Sequence, residues 1–112
     1  MIESVRDRAT FQALARARRH RRGPITVSAV AATQRGPAVA YAVRRDIGSA
    51  PVRNRVRRRL RALMREHEGD LDVGHAYLVS AGQGAQDLTF RQLDRSLSEI
   101  LRGVASEQGS KR

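Results

Sequence analysis

Apolar positions along the chain change period several times, and each change marks an element. From Ile25 the residues ITVSAVAAT, ending at Thr33, alternate in their first half, the period-two signature of a strand. Gln34-Arg35-Gly36-Pro37 reads as a turn and Ala38 to Val43 (AVAYAV) as a second strand. Two apolar runs joined by a short Gly-Pro turn predict an antiparallel hairpin. A further short strand before the hairpin is compatible with the pattern, which gives it no position. After Ile47-Gly48-Ser49-Ala50-Pro51 the period becomes helical. Val52, Val56, Leu60, Leu63 and Met64 form one stripe. Pro51 suits the first helical position, where its missing N–H costs nothing. Gly69 places the helix end near His67 or Glu68. His75 to Ala81 (HAYLVSA) reads as a strand and Gly82 to Asp87 as a loop. From Thr89 to about Gly103 a last helix gathers Phe90, Leu93, Leu97, Ile100, Leu101 and Val104 on one face.

The N-terminal segment is less sharply patterned. Ser4 followed by Asp7 reads as a helix start with Ser4 as N-cap, which puts Val5, Phe11, Leu14 and Ala15 on one face. Arg16 to Arg22 carries five arginines and His20 and stops at Gly23-Pro24. No internal repeat or interdomain linker interrupts the chain. The order α-β-β-α-β-α, with room for one more strand, predicts an α+β fold, a two-layer α/β sandwich of helices on a small sheet. One domain is expected over residues 1–104, followed by a polar, disordered tail at 105–112.

Composition narrows the possibilities. The 112 residues suffice for one modest core, and the only aromatics are Phe11, Phe90, Tyr41 and Tyr77, so that core must be aliphatic. Twenty-two basic residues oppose 11 acidic ones, a net charge of +11, and such a field draws polyanions. Only Lys111 is a lysine; the rest are arginines, whose planar forks grip phosphate and stack on bases. A GC-rich genome would account for the scarcity of lysine, not for the basic total. The absence of cysteine excludes a disulfide framework and thiolate zinc, and fits the cytosol. No segment approaches the roughly 20 apolar residues of a membrane span, and the first residues lack the apolar stretch of a secretory signal. A cytoplasmic protein with no membrane partner is expected.

The densest feature runs from Arg44 to Arg61, with eight arginines and one acid, Asp46. On the helix following Pro51, Arg57, Arg58, Arg61 and Arg65 fall opposite the apolar stripe together with Asn54, while Arg53, Arg55 and Arg59 flank it. Like charges one turn apart repel by a few tenths of a kcal/mol per pair, roughly. An ordinary solvated face mixes signs; this one meets no acid until Glu66. A phosphate-bearing partner would reverse the repulsion.

Gly48, Ala50, Arg53, Asn54, Arg55, Arg57, Arg58, Leu60 and Arg61 stand at the spacing Gly-x-Ala-x-x-Arg-Asn-Arg-x-Arg-Arg-x-Leu-Arg. This resembles the signature of the bacterial ribonuclease P protein family. Phe11-Gln12, the strands before the signature, the strand His75 to Ala81 and the last helix fall where that family has them. The resemblance implies a fold like the second domain of a small-subunit ribosomal protein, with a left-handed βαβ crossover. It also implies the partners: a catalytic RNA, one protein per RNA, and precursor tRNA, whose 5′ leader is removed hydrolytically by the RNA with Mg²⁺. Arg45, Arg53, Asn54, Arg55, Arg57, Arg58, Arg61 and Arg65 would then contact the catalytic RNA. Gly48 would supply a backbone geometry closed to other residues. Phe11, with Arg16, Arg18 and Arg19, would contact the leader; for Phe11, base stacking and plain core packing are equally good readings. The chain departs from the family in having Ala15 where a second aromatic is common, Arg44-Arg45-Asp46 where lysines are common, Pro51 where an aliphatic residue is common, and no aromatic on the first strand.

Other chemistry is sparse. His20, His67 and His75 lack metal-ligand spacing to one another, and Glu66, Glu68, Asp70 and Asp72 read as a solvated acidic loop before a Mg²⁺ site. Gly82-x-Gly84 lacks the full phosphate-binding pattern, and no nucleophile–base pair is evident, so no catalytic residue is expected on the protein. The competing reading is a structural, ribosomal-type RNA-binding protein. A membrane-surface helix fits less well, because the apolar stripe is short, Val-rich and needed for the core, and so does a groove-reading DNA helix, because this helix begins inside a strand–helix unit and not on a protruding motif.

Overall fold

The computed structural model describes residues 1–32 and 36–109. Period-two alternation becomes the strands β3 (Ile25–Ala31), β4 (Ala38–Val43) and β5 (His75–Ala81); β1 (Glu3–Ser4) and β2 (His20–Arg22) complete a five-stranded sheet in the order β1-β4-β5-β3-β2. The helices are α1 (Arg8–Arg16), α2 (Ala50–Glu66) and α3 (Phe90–Gly109). The result is the expected mixed α/β fold, with one short strand in the arginine run before β3 and another at the N-terminus.

Alternation sorts the side chains between two faces. Ile25 and Val27, Val39, and Tyr77, Val79 and Ala81 join the larger core with Val56, Leu60, Leu63 and Met64 of α2 and Leu93, Leu97, Ile100, Leu101 and Val104 of α3. The opposite face holds a smaller cluster of Leu14, Ala38 and Ala76, with Val5, Val30 and Leu78 against it. Ser28, the one buried polar residue among those described, donates its hydroxyl to the Leu14 carbonyl at 3.0 Å, fastening α1 there.

The expected hairpin is not formed. β3 and β4 do not touch; β5 lies between them, antiparallel to β3 and parallel to β4. Every residue of β5 is buried or half-buried, so it profits most from the central position. Residues 32–37 can span about 20 Å when extended, against the roughly 10 Å of two strand spacings needed to pass β5. The turn expected at Gln34-Arg35 lies outside the described residues.

Two boundaries also differ from the sequence reading. Asp7, not Ser4, caps α1: its carboxylate accepts from the Thr10 N–H at 3.0 Å and hydroxyl at 2.6 Å. These bonds hold the exposed Asp7 carboxyl below its ordinary range. Ser4 pairs in β1, so Val5 precedes the helix. At the other end α3 continues through Gly109, so residues 105–109 are helical where a disordered tail was expected.

Candidate nucleic-acid interface

α2 is held on one side only. Val56, Leu60, Leu63 and Met64 are buried, and the arginine positions turn away from them. The helix is entered through Gly48, whose φ of 153° lies outside the range L side chains favour; a Cβ there would stand 3.3 Å from the Val52 side chain. Arg44 bonds Asp46 at 2.9 Å, so the acid before the glycine is neutralised locally, and Arg45 stays exposed in a 3-10 turn. Arg53 donates to the Gly48 carbonyl at 3.3 Å and Arg59 to the Leu88 carbonyl at 3.2 Å, so both brace backbone. The Asn54 side-chain oxygen accepts from Arg57 at 3.0 Å and aims that guanidinium. A recess of about 510 Å³ along this surface is lined by Pro51, Asn54, Arg57, Arg58 and Arg61.

The larger cleft, about 780 Å³, lies where the sheet stops. β1 pairs only with Ala38 and Val39 of β4. Glu3 donates to the Pro37 carbonyl and Arg44 to the Ala81 carbonyl, so the odd residues of β4 turn their main-chain groups toward β1 and the even ones toward β5. Beyond β1, Tyr41 and Val43 therefore present N–H and C=O groups on an open edge. Around this edge gather Phe11 from α1, Val39, Ala40 and Tyr41 from β4, and Arg57, Arg61 and Arg65 from α2, with Glu68 at the rim. The Arg61 guanidinium lies 5.4 Å from the Tyr41 ring centre, a cation–π contact. Burial pushes the Tyr41 hydroxyl up, against the pull of Arg61 and Arg65, so the ring stays neutral at physiological pH.

Among the described residues, no carboxylate stands within ion-pair distance of Arg57, Arg58, Arg61 or Arg65. The structure joins Arg57, Arg61 and Arg65 to Phe11, which the sequence assigned to a different partner. Phe11 is 42% exposed and lines the cleft, so it is not one of the buried core residues. Arg55 and Arg58 are exposed on the same helix outside the cleft. Arg16, Arg18 and Arg19 do not line the cleft. They precede β2 at the far edge of the sheet, where Arg18 pairs with Glu107 of α3 at 3.2 Å. The cleft residue that the sequence reading did not single out is Tyr41. Its signal was the position itself, an aromatic on an alternating strand whose neighbours Val39 and Val43 share its face.

α2 is fastened to α3 at its end. His67 Nε2 lies 2.8 Å from an Asp94 carboxylate oxygen and 3.3 Å from the Ser98 hydroxyl, and Nδ1 lies 3.2 Å from Asp70. Partial burial alone would lower the imidazole; the bonds to Asp94 and Asp70 outweigh it and hold His67 above its ordinary value. Of the acidic run, Asp70 thus serves His67, Glu68 turns to the cleft and Asp72 lies 4.0 Å from His75. Among the described residues no three His, Asp or Glu side chains gather as a metal site, and no helix is long and apolar enough to cross a membrane.

The model of the Ribonuclease P family matches residues 2–105. The ribonuclease P protein component of Thermobifida fusca is 41% identical over 73 residues, covering 65% of this chain and 50% of that protein. That of a Nocardioides species is 35% identical over 107 residues, covering 92% of each. In fold, the chain superposes on the RNase P protein of Staphylococcus aureus with a TM-score of 0.78 at 21% identity, covering 90% of this chain and 94% of that one. On the Thermotoga maritima RNase P protein the score is 0.76 at 19% identity, covering 88% and 94%. Matched along nearly its whole length, the chain belongs to the ribonuclease P protein family.

Proposed function

We propose that this chain is the protein subunit of a ribonuclease P ribonucleoprotein, binding the catalytic RNA and the 5′ leader of precursor tRNA while the RNA performs the hydrolysis. The observation that carries the reading is the junction of two surfaces. Arg57 and Arg61 belong at once to the arginine recess along α2 and to the cleft that holds Phe11 and Tyr41. Arg58 with these two, and Arg45, Arg55 and Arg65 around them, neutralise phosphates of the catalytic RNA. Asn54 acts through Arg57, and Arg53 through the turn at Gly48. The cleft takes the single-stranded leader: Phe11 and Tyr41 offer ring faces to bases, and the open β4 edge offers N–H and C=O groups to base edges. Tyr41 supplies the second aromatic that Ala15 does not.

The Mg²⁺ that the family implies has no donor set among the described residues, so no step is assigned to a metal on this chain. The protein's contribution is binding and positioning, with one copy per catalytic RNA, in the cytoplasm. A purely structural RNA-binding role is separated by reconstitution. The purified protein is mixed with a bacterial ribonuclease P RNA at low Mg²⁺ and precursor tRNA is followed to its mature 5′ end. Cleavage requiring both components is the expected result; tight RNA binding without stimulation favours the structural role.

A further inference from the structure

The cleft assigned to the leader is lined by donors along α2. Arg57, Arg61 and Arg65 follow one another at one helical turn, about 6 Å per step, and α2 ends at Glu66. Just past that end the lining changes sign, because Glu68 brings a carboxylate to the rim. Beside a row of phosphates a carboxylate weakens binding, since like charges repel. An unpaired base is different: its edge carries N–H donors that a phosphate lacks.

Glu68 stands on a fixed support. Its short turn, Glu68–Asp70, is closed by the Asp70 N–H on the His67 carbonyl at 2.8 Å and the Leu71 N–H on the Glu68 carbonyl at 3.1 Å. His67 before it is tied to Asp94 at 2.8 Å, and Leu71 after it is buried. A side chain on a turn fastened at both ends keeps its aim. The fold makes little use of the carboxylate itself. Glu3, the other acid of the cleft, accepts from the Gly36 N–H at 2.8 Å and braces the backbone. Among the described residues the Glu68 carboxylate meets only the N-terminal ammonium, at 2.6 Å, on a residue almost wholly exposed. An ion pair so open to water contributes little, so a ligand donor can replace it. Met1 also lines the cleft, so the contact shows the carboxylate facing a donor on the cleft side.

The edges of the bases decide which one fits. Of the four, only guanine presents two parallel donors on its pairing edge, N1–H and N2–H, to match the two oxygens of a carboxylate. Adenine and cytosine offer one amino group beside a bare ring nitrogen, which repels the second oxygen. Uracil offers one N–H between two carbonyl oxygens. Phe11 and Tyr41 line the same cleft of about 780 Å³ and supply ring faces for the base whose edge meets the rim.

We infer that Glu68 is a specificity-determining residue of this cleft, its carboxylate accepting from N1–H and N2–H of an unpaired guanine in the leader. The inference deepens the reading of the cleft as the leader site and rests on it. The arginines hold a leader of any sequence; Glu68 favours one base at one position.

The test walks a single guanosine through an otherwise all-uridine leader. Each precursor competes for cleavage with the all-uridine one, in the complex of the protein with a bacterial ribonuclease P RNA. Relative kcat/KM is read for wild type and for E68Q, whose thermal transition is checked against wild type. With wild type, guanosine at one position is expected to raise kcat/KM about tenfold, the size of a hydrogen bond to a charged group. Inosine there, lacking the 2-amino group, keeps part of the gain. In E68Q, whose amide cannot accept both bonds, the gain is expected to fall below about twofold. The all-uridine leader is expected to be cleaved as well or better by E68Q, because a like charge has left the cleft. A role confined to the fold would lower both leaders together. A wild type that prefers leader-bearing precursor to mature tRNA, yet gains from guanosine at no position, overturns the inference and leaves the parent reading intact. A gain that survives in E68Q assigns the base reading to the RNA and overturns the inference too. A wild type that binds leader-bearing and mature tRNA alike overturns both.

Discussion

The two edges of the sheet carry similar side chains and have opposite fates. At the β2 edge Arg18, His20 and Arg22 meet Glu107 and Glu99 of α3 at 3.2, 3.5 and 3.7 Å. At the β4 edge Arg57, Arg61 and Arg65 face a cleft whose carboxylates are otherwise occupied, Glu3 by the Gly36 N–H at 2.8 Å and Glu68 by the N-terminal ammonium at 2.6 Å. The density of arginine along the chain does not separate these edges. Which of them an internal acid can reach does, and only the edge left uncompensated gains by meeting phosphate.

The largest effect expected of this contrast is in RNA binding. Replacing Arg57, Arg58 and Arg61 with alanine should weaken binding to the catalytic RNA by at least two orders of magnitude at low salt, the slope against salt falling by about 0.7–0.9 per contact. The matched change at the other edge, Arg18→Gln with Arg22→Gln, should leave the slope within experimental error. Equal losses at both edges would erase the distinction. Next come the rings. Phe11→Ala and Tyr41→Ala should each cost about 1–3 kcal/mol for leader-bearing precursor and little for mature tRNA, while Tyr41→Phe keeps the stack. Equal loss on both substrates would make these residues props of the fold.

Gly48→Ala sharpens the comparison through the backbone that aims α2. A Cβ 3.3 Å from Val52 at a φ of 153° should lower stability by about 1 kcal/mol or more, visible in urea unfolding. An unchanged midpoint would show that the turn does not depend on glycine. The smallest effect belongs to the clamp between the edges. His67 is held above its ordinary 6.5 in the folded chain, so its stabilising contribution is complete below that value and is lost as pH rises through the folded value. The thermal transition of wild type relative to H67Q should therefore decline as pH rises above about 6.5. A relative gain over that window would reverse the assignment.

Much of this molecule was legible because its periods are clean. β4 and β5 fall on the stretches their alternation marked, and α2 on its 3.6-residue stripe. The arginine face of α2 could be read from the same stripe, being its complement. What failed was adjacency, which no local pattern encodes. The sequence places β3 next to β4, but the fully covered β5 belongs between them. β1 and β2, with two and three residues, are too short to show a period. Proximity misled in the same way at the site. Phe11 lies five residues from Arg16, yet the chain leaves α1 for the opposite edge, while Tyr41 is thirty residues from Phe11 and lines the same cleft.

The central place of β5 also orders events in time. Translation proceeds from the N-terminus, so all of α2 is made before the strand that joins β3 to β4 exists. Until residues 75–81 arrive, the two halves of the sheet share no ladder, and the arginine helix has an apolar stripe with nothing to rest on. A nascent chain cut short after α2 is thus a cationic amphipathic peptide rather than a small folded body. Collapse to the native state waits on a late segment that threads between two early ones, the kind of non-local closure that sets slow folding rates.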